Sequence, residues 1–111
     1  MDRSDEFRTI VERIMREVEG MTPSERQIRT EVVIDHANGH YQLGQVGWDN
    51  GRRVDDIFLH VDVCDGKVWI QHDGTNLRLA DMLMDGGIPR ESIVLAFHRP
   101  ELRKFTEFAV A

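Results

Sequence analysis

Histidine and aspartate residues stand close together at two places in the sequence. His60 and Asp62 are two residues apart, so on a β-strand both side chains point to the same face. An imidazole and a carboxylate on one face supply half of a metal site, and His72-Asp73 follows on the next predicted strand. In a regular hairpin, however, His60 and His72 fall on opposite faces, so the sequence predicts no metal site.

The same region contains a pattern that is typical of metal-dependent nucleases. Asp62 followed by Asp65-Gly66-Lys67 resembles the carboxylates that hold a divalent ion and the lysine that assists the attacking water. Asp-Gly is also the preferred pair for a tight hairpin turn, which explains these residues without any chemistry. Cys64 has no helix N-terminus beside it to activate the thiol. We therefore predict no catalytic residue and no cofactor, with a nuclease as the remote alternative.

Length, charge and cysteine count narrow the class of protein. The chain has 111 residues, which suits one domain over residues 1–111. A net charge of −6 and a sequence pI of about 5.3 disfavour a surface that binds many phosphates. Cys64 is the single cysteine, and no apolar run approaches the length of a membrane span. We expect a cytoplasmic protein that does not contact a membrane.

An amphipathic helix is predicted near the beginning of the chain, over residues 5–19. Its apolar residues recur at steps of three and four, namely Phe7, Ile10, Val11, Ile14, Met15 and Val18. We expect Ser4 or Asp5 to cap its start and Gly20 its end. On its solvent face the expected i,i+4 ion pairs are Arg8 with Glu12, Glu12 with Arg16 and Arg13 with Glu17. Thr22-Pro23-Ser24 then predicts a turn.

Turn signals divide the next part of the chain into a four-stranded antiparallel meander. The predicted turns are Asn38-Gly39, Asp49-Asn50-Gly51 and Asp65-Gly66. The predicted strands between them cover residues 29–36, 41–48, 53–64 and 67–72, which are rich in β-branched and aromatic side chains.

The last third of the chain predicts a short helix and a docked tail. Helical spacing over residues 78–85 ends at Gly86-Gly87. Residues 92–97 form an apolar run, either a fifth strand or a buried extended segment. The apolar tail from Thr106 is expected to pack on the body of the domain. The predicted fold class is α+β, an antiparallel meander of four to five strands with both helices on one face.

The Asp65-Gly66 hairpin sorts its residues into two faces. With these two residues at the turn, the expected opposite pairs are Cys64 with Lys67, Val63 with Val68, Asp62 with Trp69, Val61 with Ile70 and His60 with Gln71. One face is apolar and faces the core, with Leu59, Val61, Val63, Val68 and Ile70. The other face carries His60, Asp62, Cys64, Lys67, Trp69 and Gln71.

The second face is a candidate partner-binding surface because a tryptophan lies among hydrogen-bonding side chains. Tryptophan supplies a large contact area and one N–H donor, as in the centres of protein interfaces. The alternative is that the C-terminal tail or a loop folds over Trp69. Trp48 is a second candidate of the same kind, with core packing at a strand end as its alternative.

Arginines in the later part of the chain form local basic groups that could contact DNA. They are Arg52, Arg53, Arg99 and Arg103, and surface solubility also explains them. Contact with phosphates would require them to converge on one edge against the net negative charge.

Several short motifs together resemble the XisI family of fdxN-element excision controlling factors. They are His40-Tyr41-Gln42-Leu43, Val46-Gly47-Trp48, Arg52-Arg53-Val54, Leu59-His60-Val61-Asp62-Val63, Asp65-Gly66-Lys67-Val68-Trp69-Ile70-Gln71, Gly87-Ile88-Pro89, Ile93-Val94-Leu95-Ala96-Phe97-His98 and Thr106-Glu107-Phe108-Ala109-Val110-Ala111. Their order and spacing match over almost the whole chain. Asn76, where the family tends to be acidic, and Cys64, where it is charged or polar, depart from the pattern.

The resemblance implies an accessory role in a DNA rearrangement. It implies a factor that acts with a XisH-like partner to control excision of the fdxN element during heterocyst differentiation in cyanobacteria. The partner resembles restriction-type nucleases, so contact of this chain with DNA would be indirect. The resemblance supplies no catalytic residues. A homo-oligomer and a DNA-binding cofactor of a recombinase are the alternatives we consider.

Overall fold

The computed structural model describes residues 3–22 and 27–111. Its three helices are α1 (Ser4–Met21), α2 (Leu79–Asp85) and α3 (Pro100–Arg103), with a 3-10 turn at Arg90–Ser92. Its five strands are β1 (Ile28–Asp35), β2 (His40–Asp49), β3 (Arg52–Cys64), β4 (Lys67–Asp73) and β5 (Ile93–Leu95). Within these residues, no helix is long and apolar enough to span a membrane.

Helix α1 buries the apolar stripe that the sequence predicts. All six predicted residues are buried, namely Phe7, Ile10, Val11, Ile14, Met15 and Val18. The predicted caps are wrong. The Arg3 carbonyl accepts the Phe7 N–H at 2.8 Å, so the helix starts earlier, and it continues through Gly20 to Met21. The predicted turn residues Pro23 and Ser24 lie outside the described residues.

The polar face of α1 pairs differently from the prediction. Arg8 contacts Asp5 at 2.8 Å and Arg16 contacts Glu19 at 3.7 Å, both at a spacing of three residues. Glu12 contacts His36 of the β1–β2 turn at 3.3 Å. The predicted i,i+4 pairs are therefore wrong, because nearer carboxylates and a tertiary neighbour compete for the same side chains.

The sheet has the order β1-β2-β3-β4-β5. The first four strands form the predicted antiparallel meander. The fifth strand is present, but it pairs with β4 in parallel, with Val68 opposite Ile93 and Ile70 opposite Leu95. Helix α2 lies between β4 and β5 in the chain. It carries the chain back to the end of the sheet where β4 begins, so β5 can run parallel to β4. The tail docks beside β5 through a bridge between Val94 and Ala109.

One face of the sheet packs against α1 and α2 and forms the core. Leu59, Val61, Val63, Val68 and Ile70, which the sequence assigns to this face, are all buried with the residues of α1. Tyr41 and Leu43 of β2, Leu79 and Leu83 of α2, Ile88 and Ile93 complete the cluster. The sheet therefore has one covered face and one open face.

Two-residue turns close the second and third hairpins as predicted. Asn50 and Gly51 have φ of 50° and 82°, and Asp65 and Gly66 have φ of 54° and 74°. Both central residues have positive φ, which Asn-Gly and Asp-Gly pairs adopt readily. The register predicted next to Asp65-Gly66 is confirmed from Cys64–Lys67 to Val61–Ile70.

Two irregularities change the register further along the strands. Leu59 is opposite Leu43 whereas Ile57 is opposite Gly44, so Phe58 is an extra residue in β3. In β4 the extra residue is Gln71, because Val61 is opposite Ile70 whereas His60 is opposite His72. The predicted pair of His60 with Gln71 is therefore wrong. His60 and His72 are opposite each other, although the described residues contain no group of three or more His, Cys, Asp and Glu arranged to hold a metal ion.

Gly20 and Gly47 provide a matched pair of glycine-to-alanine substitutions. A Cβ at Gly20 would meet nothing within 4 Å, so Gly20→Ala should raise the free energy of unfolding by about 0.5 kcal/mol. A Cβ at Gly47 would collide with the Gln27 carbonyl oxygen, which accepts the Trp48 N–H at 3.0 Å. Gly47→Ala should therefore lower the free energy of unfolding by about 2 kcal/mol or more. Urea unfolding of both variants measures this, and equal stabilities would contradict it.

Candidate binding face around Asp62

The open face of the β3–β4 hairpin carries a hydrogen-bonded cluster centred on Asp62. The Asp62 side chain is only 18% exposed. Its Oδ1 accepts hydrogen bonds from His40 Nδ1 at 2.9 Å and His60 Nε2 at 3.1 Å, and its Oδ2 accepts one from Gln71 Nε2 at 3.2 Å. One carboxylate thus joins side chains from β2, β3 and β4, and these hydrogen bonds compensate for the water that partial burial removes from it.

His40 is the member of this cluster that sequence reasoning missed. It lies opposite Asp62 in the β2–β3 register and follows Gly39 at the start of β2. The available signal was the pairing of β2 with β3. That pairing passes through the bulge at Phe58, and a count back from the Asn50-Gly51 turn without the bulge would place His40 one residue out of register.

Asp62 raises the pKa of His40. The hydrogen bond from the imidazole to the carboxylate is the largest cause, followed by the attraction between the two charges. Asp35 adds a smaller attraction, and partial burial of the ring opposes these effects. The cluster therefore favours the protonated form of His40, hydrogen-bonded to the Asp62 carboxylate.

Trp69 lies opposite Asp62 and is partly covered by the C-terminal segment. Its indole Nε1 donates a hydrogen bond to the Cys64 carbonyl at 3.3 Å, and the Arg103 guanidinium lies 5.7 Å from the ring centroid. Arg103 is held there by hydrogen bonds to the carbonyl oxygens of Ala96, His98 and Val110. The alternative that the tail or a loop folds over Trp69 is thus realised on one side of the ring, and the residue is half-buried, with only part of the ring accessible.

Beside Trp69 the open face forms a shallow pocket of about 430 Å³. Its lining consists of Asn38, His40, Asp62, Val63, Cys64, Trp69 and Gln71. Lys67 stands at the end of this face next to the turn, and His60 supports Asp62 from the side away from the pocket lining. The structure therefore brings Asp62, Trp69 and Gln71 of the predicted surface together around one cavity.

Cys64 lines the pocket with an exposed thiol. The negative charge of Asp65 is the main cause that raises the pKa of this thiol, and partial burial adds to it. The thiol therefore stays protonated at neutral pH, where a nucleophile would need the thiolate.

Trp48 lies at the far end of the sheet from this pocket. It is 50% exposed, so it does not pack into the core, and the Arg53 guanidinium lies 5.3 Å from its ring centroid. Arg53 is opposite Trp48 and lies roughly 30 Å along β3 from Asp62. Trp48 is thus exposed as a surface residue but belongs to a different part of the face.

The four candidate DNA-contacting arginines occupy two separate regions. Arg52 and Arg53 flank the β2–β3 turn, where Arg52 lies 4.0 Å from Asp49. Arg99 and Arg103 belong to the C-terminal segment, where Arg99 pairs with Glu101 at 3.4 Å and Arg103 binds main-chain carbonyls. Within one chain these arginines do not form a single basic edge.

Fold and surface together define a small α+β protein whose sheet has one face covered by helices and one open, polar face. The model of the XisI protein family matches residues 1–110. The chain belongs to the XisI family, as its sequence motifs indicate. A search of curated proteins finds no match.

Two crystal structures are similar to this chain over nearly its whole length. A XisI-like protein from Anabaena variabilis ATCC 29413 is 30% identical with a TM-score of 0.90, covering 96% of this chain and 97% of that protein. The fdxN element excision controlling factor XisI from the same organism is 33% identical with a TM-score of 0.87, covering 99% and 100%. Both similarities confirm the predicted fold.

Asp62→Asn is expected to lower the pKa of His40 toward its ordinary value of 6.5, because it removes the charge that stabilises the imidazolium. In the native protein this pair stabilises the fold fully below the unfolded pKa, and that contribution is lost as pH rises through the raised folded pKa. NMR titration of the His40 ring measures the shift. Asp35→Asn serves as the control and should lower the pKa less. An unchanged His40 pKa in Asp62→Asn would contradict this assignment.

Proposed function

We propose that this chain is a cytoplasmic accessory protein that controls excision of a DNA element by binding a XisH-like partner, and that it acts without catalysis. The observation that carries the proposal is its end-to-end similarity to the fdxN element excision controlling factor XisI. The role would belong to heterocyst differentiation in a cyanobacterium. The described structure supports the proposal by offering a preorganised surface for a partner.

The face around Asp62 is suited to protein binding for two physical reasons. Trp69 offers the accessible part of its aromatic ring at the wall of a pocket, and a tryptophan among hydrogen-bonding side chains is the composition of an interface centre. The polar side chains beside it are already ordered, since Asp62 accepts hydrogen bonds from His40 and Gln71. A partner therefore has little side-chain entropy to remove when it docks.

The chemistry of the same face favours binding over catalysis. A general base needs a lone pair directed at the substrate, whereas three of the roughly four lone-pair sites of the Asp62 carboxylate already accept hydrogen bonds from two histidines and one glutamine. A cysteine nucleophile needs a lowered pKa, whereas Asp65 raises the pKa of Cys64. Both groups are thus arranged as parts of a surface.

Contact with DNA is better assigned to the partner than to this chain. The net charge is −6, and the candidate arginines are divided between two regions. Arg53 is engaged by Trp48, and Arg103 by main-chain carbonyls. A nucleic-acid surface needs several unpaired cations along one stripe.

Trp69→Ala tests the partner surface, with Trp48→Ala as the matched control at the other end of the sheet. Loss of an aromatic residue at an interface centre should weaken binding of a XisH-like protein from the same genome by about 30-fold, whereas Trp48→Ala should leave it within about threefold. Isothermal titration calorimetry measures both affinities, and circular dichroism verifies that both variants are folded.

The two possible failures are distinguishable. Unchanged affinity in a folded Trp69→Ala variant would exclude this face while keeping the partner. Absence of any complex between the unmodified chain and the XisH-like protein would overturn the proposed function itself.

The purified chain is expected not to bind duplex DNA by itself, because its charge repels phosphates. Fluorescence anisotropy with labelled duplex at low and physiological salt measures this. The partner alone and the complex serve as positive controls. Binding by this chain that weakens steeply as salt rises would instead support the recombinase-cofactor alternative.

A further inference from the structure

Half of β3 has an unpaired edge. β3 pairs with β2 from Arg52 to Leu59 and beyond, whereas its pairing with β4 covers only Leu59 to Cys64. The Gly74 N–H donates a hydrogen bond to the Phe58 carbonyl at 2.7 Å. This is the last backbone contact between β3 and the segment that follows β4. Within the described ranges, no strand pairs with the other edge of residues 52–57. Such an edge is a template for another strand.

The hairpin geometry determines which backbone groups this edge presents. Asn50-Gly51 is a two-residue turn, so Asp49 and Arg52 form the hydrogen-bonded pair that closes it. Hydrogen-bonded and non-hydrogen-bonded pairs then alternate along an antiparallel ladder. The N–H and C=O groups of Arg53 and Asp55 therefore point away from β2 and toward solvent, while those of Val54 are used within the hairpin.

The side chains of this edge have a self-complementary charge pattern. The sequence Arg52-Arg53-Val54-Asp55-Asp56 has two cations, one apolar residue and two anions, and all four charged residues are exposed. The Trp48 ring supports the Arg53 guanidinium at 5.3 Å. Among the described residues, no side-chain hydrogen bond or ion pair is made by Asp55 or Asp56. Charges on an edge normally prevent association, but this pattern places opposite charges next to each other when the edge pairs antiparallel with the same edge of a second copy.

We propose that residues 52–56 pair antiparallel with the same residues of a second copy of this chain, about a two-fold axis at Val54. Arg52 then lies opposite Asp56 of the second copy, and Arg53 lies opposite its Asp55. The backbone agrees with this register, because the outward groups of Arg53 meet the outward groups of Asp55, and Val54 meets Val54 as a non-hydrogen-bonded pair. Opposite charges on facing strand positions stabilise such a pair.

Neighbouring registers are disfavoured on physical grounds. An axis at Asp55 keeps the backbone hydrogen bonds but places the two Asp55 carboxylates directly opposite each other. A shift by one residue brings inward-pointing backbone groups of one copy against outward-pointing groups of the other. Of these registers, only the one centred on Val54 both forms the backbone hydrogen bonds and places opposite charges next to each other.

The paired sheets would be continuous across the two copies. Residues opposite each other in an antiparallel pair share a face, so both open faces lie on the same side of the joined sheet. The dimer would thus present two Asp62 faces in one direction, at its two ends. The pairing itself does not depend on the proposed partner.

Charge reversal with rescue tests the pairing. Asp55→Arg/Asp56→Arg makes the edge wholly basic, and Arg52→Asp/Arg53→Asp makes it wholly acidic. The unmodified chain should sediment at about twice the monomer mass of 12.9 kDa, whereas each double variant alone should dissociate at least about tenfold more readily. An equimolar mixture of the two, and the quadruple variant with all four charges exchanged, should again form dimers.

Sedimentation velocity measures each species, and circular dichroism verifies the fold of each variant. Asp85→Arg/Glu91→Arg is the control, because it changes two other exposed acidic residues by the same charge and should leave the dimer intact. A monomeric unmodified chain at high micromolar concentration would overturn the proposal. Dimers that persist in both double variants, or a mixture of folded variants that stays monomeric, would also overturn it.

Discussion

The structure depends on burial of the α1 stripe against one face of the sheet. Phe7, Val11 and Met15 are at most 1% exposed, and they pack on the apolar side chains of the central strands. Removing this much apolar surface from water is the main favourable term available to a chain of this size. Because α2 joins the same side, the opposite face remains open, and its residues are available for polar contacts.

Asp62 organises that open face because a carboxylate that is largely removed from water needs hydrogen-bond donors in its place. Its oxygens accept hydrogen bonds from His40, His60 and Gln71, and these bonds compensate for the loss of water. The bulge at Gln71 matters here, since it lets Gln71 reach Asp62 while His72 takes the position opposite His60. The Arg103 contact then fixes the tail beside Trp69 without closing the pocket.

β3 connects the two surfaces because it is longer than its neighbour β4. Near Cys64 it is a central strand that positions Asp62. Near Arg52 it is an edge strand whose outward backbone N–H and C=O groups have no partner strand among the described residues. One strand therefore carries the proposed partner-binding face at one end and the proposed self-pairing edge at the other. The two surfaces are far enough apart to be occupied together.

Local patterns in the sequence determined the α1 stripe, the Asn50-Gly51 and Asp65-Gly66 turns, and the pairing of Asp62 with Trp69, because each depends on residues a few positions apart. Tertiary structure alone decided the bulges at Phe58 and Gln71, the contact of His40 with Asp62, the parallel pairing of β5 and the position of Arg103 over Trp69. A bulge has no local signature here, yet each one moves all later pairs by one residue. The contacts beyond it therefore follow from how the strands and the tail pack together, which the spacing of residues along the chain does not specify.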